Sequence, residues 1–185
     1  LAGFPHHALN TYLTKMIKAG HRVAICEQVE DPKKAKTIVK RDIVEIVTPG
    51  TTFSDEILQS KRNNFLVAIS VDNKNFGLSG IDVSTGEYFV SEMPKEKMRE
   101  QVQSLEPAEI IVPESQQQYI TDQINHGSTF FLTVKEDWIF SRDYGYEKLT
   151  DHFKTASLKG FGCEDLTSGI AAAGAILHYV KENQR

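Results

Sequence analysis

The 185 residues contain six histidines, two cysteines and 25 acidic side chains, and these are the groups that could bind a metal, move a proton or attack a substrate. Cys26 and Cys163 lie far apart and neither belongs to a Cys-x-x-Cys pair, which argues against a zinc site or a disulfide framework. They read as two buried thiols of a reducing, cytoplasmic environment. His6 and His7 are the one adjacent histidine pair, and neither has a metal-ligand partner at helical spacing. Beside Pro5 at a helix start, they can donate hydrogen bonds where backbone N–H groups already favour an anion such as a DNA phosphate; the alternative is that they simply cap and solvate the helix start. A second candidate for phosphate contact is the run Lys33, Lys34, Lys36, Lys40 and Arg41, five cations within nine residues, bracketed by Asp31 and Asp42. Each phosphate it neutralised would steepen the salt dependence by ~0.9 log units per log of salt. No aromatic is interleaved, so base stacking is not expected there, and a solvated loop is the alternative.

Other chemistries lack their residues. GxxxxGK[ST] and GxGxxG do not occur, and Lys159-Gly160-Phe161-Gly162 reads as a turn between helices. A two-metal nuclease needs clustered carboxylates, one of them inside the first strand of its sheet. The run Phe65-Leu66-Val67-Ala68-Ile69 that would supply this strand has no acid. Asp72 lies beyond its end, Asp82 precedes a Ser-Thr-Gly turn that Asp commonly stabilises, and Glu96 and Glu100 look like a solvated helix face.

The elements that position these groups follow from periodicity. Leu9, Tyr12, Leu13, Met16 and Ile17 form one helical stripe, started by Pro5 and stopped by Gly20. Residues 22–26 and 43–47 read as strands, and Thr48-Pro49-Gly50-Thr51 as a turn. A domain boundary is expected between about Thr48 and Asp55. Strands follow at 65–69, 76–83 and 87–92, forming an antiparallel meander. Pro94 opens a helix carrying Met98, Val102 and Leu105, and Pro107 ends it. A strand at Ile110–Val112, a helix over 115–125 with Tyr119, Ile120 and Ile124 inward, and a strand over 130–134 come next. Trp138–Phe140 is ambiguous. Helices are expected over 144–157, with Tyr146, Leu149 and Phe153 on one face, and over 165–183, where Ala171-Ala172-Ala173-Gly174-Ala175 makes the middle small enough for close packing. The order β-β-β-α-β-α-β-α-α predicts an α/β mixed sheet, three antiparallel strands and then βαβ crossovers flanked by helices, as in ribonuclease H-like folds.

Hydrophobic residues at 40% and charged residues at 25% are globular values, and no apolar run approaches a membrane span. The net charge of −4 is uneven: residues 1–55 carry 8 basic against 6 acidic side chains, and residues 56–185 carry 13 against 19. This suggests two units with different partners. The chain starts without Met and is expected to belong to a longer protein.

Three long runs carry a family resemblance. Gly3-Phe4-Pro5-His6-His7-Ala8, Val23-Ala24-Ile25-Cys26-Glu27-Gln28-Val29-Glu30-Asp31-Pro32 and Val47-Thr48-Pro49-Gly50-Thr51 closely resemble the bacterial DNA mismatch-repair MutS family. Asp82–Glu87, Pro107-Ala108-Glu109, Gly160-Phe161-Gly162 and Ala171–Gly174 agree in order. The resemblance implies that residues 1–52 are the C-terminal part of a mismatch-recognition domain (domain I) and residues 53–185 a ribonuclease H-like connector (domain II). It implies DNA, MutL and the other domains of such a protein as partners, a homodimeric parent, a cytoplasmic location, and ATP with magnesium as cofactors of the parent but none of these residues. The family's Phe-x-Glu reading motif and Walker motif do not occur here. The expected role is therefore a non-catalytic one that supports recognition and links it to the ATPase domains. Backbone contact is expected of His6, His7, Lys33, Lys34 and Lys36. The partner face is expected on the polar side of helix 144–157, at Glu147, Lys148 and Asp151. A metal-dependent nuclease and a protein-only adaptor are the alternatives. A partial first domain should also leave sheet edges and apolar side chains uncovered.

Overall fold

The computed structural model describes residues 3–34, 38–52, 63–73, 75–124 and 130–184. Lys36, expected at a DNA contact, lies outside them. After extended Pro5, His6–Ala8 form a single 3₁₀ turn that leads into α1, Leu9–Lys18. The helix ends where Gly20 takes φ +79°, with Gly20 N–H on the Ile17 carbonyl at 2.8 Å and His21 N–H on that of Met16 at 3.0 Å. This pair of bonds satisfies terminal carbonyls that the helix leaves open and needs a left-handed residue, which glycine supplies without strain. Leu13 and Ile17 turn inward onto Val23, Ile25 and Val47. These come from an antiparallel hairpin of β1, Val23–Gln28, and β2, Arg41–Val47, paired from Val23↔Val47 to Gln28↔Arg41 with an irregularity at Ile25/Cys26. Strand alternation buries Val23 and Ile25 partly and turns Ala24 and Cys26 outward. Cys26 is therefore exposed, contrary to the expectation of two buried thiols, whereas Cys163 is buried. Among the described residues the outer edge of β1 has no ladder partner and that of β2 meets only the isolated bridge Glu45↔Gln184, and Phe4, Tyr12 and Met16 remain exposed beside the sheet, as expected of an incompletely covered unit.

The second unit is a five-stranded mixed sheet in the order β5-β4-β3-β6-β7. Its meander is β3 Phe65–Asp72, β4 Asn75–Asp82 and β5 Glu87–Pro94, paired antiparallel in continuous register. The helix α2 Lys95–Leu105 then crosses to β6 Glu109–Pro113, parallel to β3. A second crossover, through a 3₁₀ turn and α3 Gln117–Ile124, reaches β7 Leu132–Lys135, parallel to β6. A 3₁₀ turn Asp137–Phe140, α4 Arg142–Phe153, a 3₁₀ turn Lys159–Phe161 and α5 Ser168–Asn183 complete the chain. The element order and strand directions are those expected of a ribonuclease H-like sheet.

Alternation within β3 explains the two apolar layers. Phe65, Val67 and Ile69 face Met98, Val102, Ile120 and Ile124 of α2 and α3. Leu66 and Ala68 face Ala172, Ala175, Ile176 and Tyr179 of α5. A strand covered on both sides reads as an unbroken apolar run, which is why Phe65–Ile69 and Ile110–Val112 carry no polar alternation. The small residues of α5 let it seat against both sheet and helix. A Cβ added to Gly77 of β4 would fall 2.1 Å from the Ser168 carbonyl carbon at the start of α5.

Two local expectations are corrected and one ambiguity is resolved. Tyr119 is 47% exposed rather than inward, because α3 is short and the Tyr119 ring rests over the edge of the layer, 5.9 Å from Phe76. The helix expected to reach residue 157 stops at Phe153, where Lys154 turns left-handed at φ 52°, so Phe153 stays 39% exposed. Trp138–Phe140 belong to a 3₁₀ turn that buries Ile139 and Phe140 but leaves Trp138 outside.

Candidate functional site

The hairpin unit enters the second unit at Thr48-Pro49-Gly50-Thr51, and the polar residues here are buried: Thr48, Thr51 and Thr52 are each at most 3% exposed. Proline and glycine bend the chain, and the Thr51 N–H closes the turn on the Thr48 carbonyl at 3.2 Å. Gly50 is required by contact, since a Cβ there would lie 2.8 Å from the Glu109 Cβ and 2.9 Å from the Leu66 Cδ1.

Glu109, wholly buried at the start of β6, receives this turn. Its Oε2 accepts from the Thr48 hydroxyl at 2.5 Å and the Gly50 N–H at 3.0 Å. Its Oε1 accepts from the Thr133 hydroxyl at 2.7 Å and the Tyr179 hydroxyl at 2.6 Å. Burial, then the Glu109 charge and its hydrogen bond, push the Tyr179 hydroxyl well above its ordinary value, so it remains a donor. Among the described residues no cation forms an ion pair with Glu109. The carboxylate is held by four hydrogen bonds, which is what a buried acid needs.

Asp82 is the other fully enclosed carboxylate of the sheet. Oδ2 accepts from the Asn64 N–H at 2.9 Å, and Oδ1 accepts from the Ser84 N–H at 2.9 Å and the Ser84 hydroxyl at 2.6 Å. Desolvation raises its pKa, but the Ser84 hydroxyl and the Asn64, Ser84 and Thr85 N–H groups outweigh that and hold the carboxyl below its ordinary value. Asp82 pairs with Phe65 at one end of the β3–β4 hairpin, and Asp72 pairs with Asn75 at the other. Seven residues at ~3.4 Å each separate them by about 24 Å, too far to share metal ions. Among the described residues, no group of three or more His, Cys, Asp and Glu side chains could hold a metal. Asp82 and Glu109 are committed to backbone turns and buried hydroxyls.

The described candidate DNA-contact residues, His6, His7, Lys33 and Lys34, all belong to the hairpin unit. His6 and His7 are exposed in the 3₁₀ turn that precedes α1, not in the first turn of the helix itself, so the helix-terminus argument for anion binding does not apply to them. His6 lines a cleft with Phe4, Leu9, Tyr12 and Met16 that runs along β1 from Val23 to Glu27. The loop that follows β1 bears Lys33 and Lys34, both exposed. Asp31 shapes this loop: its Oδ1 accepts from the Lys33 N–H at 3.0 Å and its carbonyl from the Lys34 N–H at 2.9 Å. Neither lysine ammonium is drawn into an ion pair among the described residues.

Glu147, Lys148 and Asp151 lie within one arc of α4, at i, i+1 and i+4. Glu147 and Asp151 are exposed, whereas Lys148 is half-buried with its ammonium 5.0 Å above the Tyr144 ring. Asp151 bonds Lys154 at 2.8 Å, and that bond and charge hold its carboxyl below the ordinary value. Beyond the helix end, Phe153 and Phe161 line an apolar cleft of about 460 Å³ with Tyr88, Leu149, Leu158 and Cys163. Sequence periodicity placed Phe153 in the core and so did not reveal this opening. Glu109 was also not singled out, although an acid heading a fully apolar strand is a visible signal for a buried polar anchor.

Among the described residues no helix is long and apolar enough to cross a membrane. The family model described as MutS domain I matches residues 1–56, and that described as MutS domain II matches residues 64–185. The chain is 52% identical over 184 residues to the DNA mismatch repair protein MutS of Flavobacterium johnsoniae, covering 100% of the chain and 21% of that protein. It is 49% identical over 184 residues to its counterpart in Christiangramia forsetii and 46% to that in Porphyromonas gingivalis, again with 100% of the chain and 21% and 20% of those proteins covered. The chain thus spans about a fifth of the length of the curated relatives it matches. It belongs to the MutS family and carries residues of that family's domains I and II.

Proposed function

We propose that these residues act within a DNA mismatch repair protein as a non-catalytic unit that supports DNA recognition and passes its state onward. Residues 1–52 are read as the C-terminal part of the recognition domain and residues 53–185 as the connector. Membership in the MutS family, whose relatives are named DNA mismatch repair proteins, is the observation that carries this reading. Two features support it. His6 and the lysines of the Lys33–Lys34 loop are exposed on the hairpin unit, which suits contact with a phosphate backbone. Asp82 and Glu109, buried carboxylates of the sheet, are saturated with internal donors, which disfavours the metal-nuclease alternative. Lys36 extends the same basic run in sequence. Glu147, Lys148 and Asp151 are the proposed face for MutL, and the remaining domains of the parent supply ATP and magnesium chemistry. A homodimeric, cytoplasmic parent completes the reading.

A gel-shift titration of the 185-residue chain tests it. Matched and G·T-mispaired duplexes should bind equally and weakly, with affinity falling steeply as salt rises. K33A/K34A should weaken both duplexes alike and flatten the salt slope by about two units, less if one lysine makes no contact. Preference for the mispair, or magnesium-dependent nicking lost in D82A, overturns the proposal. Retention on immobilised MutL with no duplex shift at low salt would favour the protein-only adaptor.

A further inference from the structure

The hairpin unit has little apolar grip on the sheet. Its buried cluster is Leu13, Ile17 and Val47, separate from the three clusters of the second unit. Among the described residues, polar contacts join the two: an isolated bridge between Glu45 and Gln184, the Arg22 guanidinium donating to Asn183 Oδ1 at 3.3 Å, the Asn64 side-chain NH₂ donating to the Pro49 carbonyl at 2.9 Å, and the turn on Glu109. Of these the turn is the buried one. The two oxygens of Glu109 divide their work. Oε2 takes both its donors from the turn, Thr48 and Gly50, while Oε1 takes both from the second unit, Thr133 of β7 and Tyr179 of α5.

The turn is also internally committed to this arrangement. The Thr48 N–H donates to the Thr51 hydroxyl at 3.2 Å, and the two hydroxyl oxygens lie 2.9 Å apart. Because the Thr48 hydroxyl proton is directed at Glu109, the Thr51 hydroxyl must donate to Thr48. The turn therefore presents one aligned chain of donors to one oxygen. Lifting it would strip Oε2 of both donors that it has among the described residues at once, whereas Oε1 would keep its own. Such a contact breaks as a unit, since a half-satisfied buried charge is worse than either the bonded or the solvated state.

We propose that Glu109 is a latch: the bond pair on Oε2 fixes the orientation of the hairpin unit on the second unit, and the bond pair on Oε1 fixes the latch in the sheet. Glu109 is a positioning residue in this scheme. Its breakage frees the hairpin unit to swing on residues 48–52 without disturbing the sheet.

The two sides can be cut separately in the full 185-residue chain. Spin labels at the exposed Cys26 and at an exposed α2 site (E100C, in a C163A background) report the distance distribution between the units, and amide exchange reports the integrity of β3 and β6. T48V removes a donor from Oε2. It should broaden the distance distribution and speed exchange of the 45–52 amides about tenfold, with β3 and β6 amides little changed. T48S keeps the hydroxyl and should restore the narrow distribution. G50A, whose Cβ would meet Glu109, must reproduce the T48V broadening if T48V fails to fold. T133V removes a donor from Oε1 and should speed exchange in β6 and β7 while leaving the distance distribution narrow as long as the chain is folded. In E109Q the amide NH₂ confronts two donors whichever way it turns, so E109Q should show one or both defects. An unchanged distance distribution in both folded T48V and folded G50A overturns the latch, and so does equal broadening in T48V and T133V.

Discussion

Gly145 of α4 and Gly174 of α5 meet so closely that a Cβ added to Gly174 would lie 2.2 Å from the Gly145 Cα. A Cβ on Gly145 would fall 2.4 Å from the Ile170 carbonyl oxygen. Neither glycine has a positive φ, so close approach and not backbone freedom requires them here. G174A should destabilise the chain by about 1–3 kcal/mol, the usual cost of overpacking a filled interior. The same change at exposed Gly160, where nothing lies within 4 Å of the added carbon, should be tolerated far better. Urea melts of the two variants, compared with the parent, check this; equal midpoints would show that α4 can move aside.

Glu92 replaces the missing side-chain cap of α5. Its Oε1 accepts from the Thr167 N–H at 2.6 Å, the Gly169 N–H at 2.8 Å and the Ser168 hydroxyl at 3.0 Å, although Glu92 lies on β5. A carboxylate at a helix N-terminus satisfies open N–H groups and opposes the positive end of the dipole. E92A should cost about 1–2 kcal/mol and speed exchange of the first α5 amides. E92Q keeps an acceptor without the charge and should fall between E92A and the parent, by the same melts.

Asp82 makes stability depend on acid. Its carboxyl is held below its ordinary value of 3.8 by the Ser84 hydroxyl and three N–H donors, despite the opposing effect of burial. The unfolded chain therefore binds this proton first as pH falls. The resulting stability is fully present above about pH 5 and is lost as pH drops through 3.8 towards the folded-state value. D82N should lower stability at pH 7 and weaken the difference between urea midpoints at pH 7 and pH 3. A D82N chain with the parent's full acid sensitivity would place that sensitivity elsewhere.

Much of this was legible in the residue order. The stripe from Leu9 to Ile17, the unbroken apolar run Phe65–Ile69 and the small-residue middle of α5 each predict their element, because helix period, two-sided burial and close packing are local demands on side-chain size and polarity. The same reasoning failed where a segment's end was decided by its surroundings. Tyr119 and Phe153 keep the helical spacing of core residues, yet α3 is short and α4 turns left-handed at Lys154, so both rings reach solvent.

What the sequence determined by itself was the element order, the apolar faces and the family, since these are carried by periodicity and by contiguous motifs. Tertiary structure decided what the polar residues do. Thr48 and Glu109 are 61 positions apart, and nothing in either segment names the other. They meet because β6 inserts beside β3 and brings its leading acid under the Pro-Gly turn. Once that site is closed to water, a carboxylate there persists only with donors on both oxygens, and the fold supplies two from each unit.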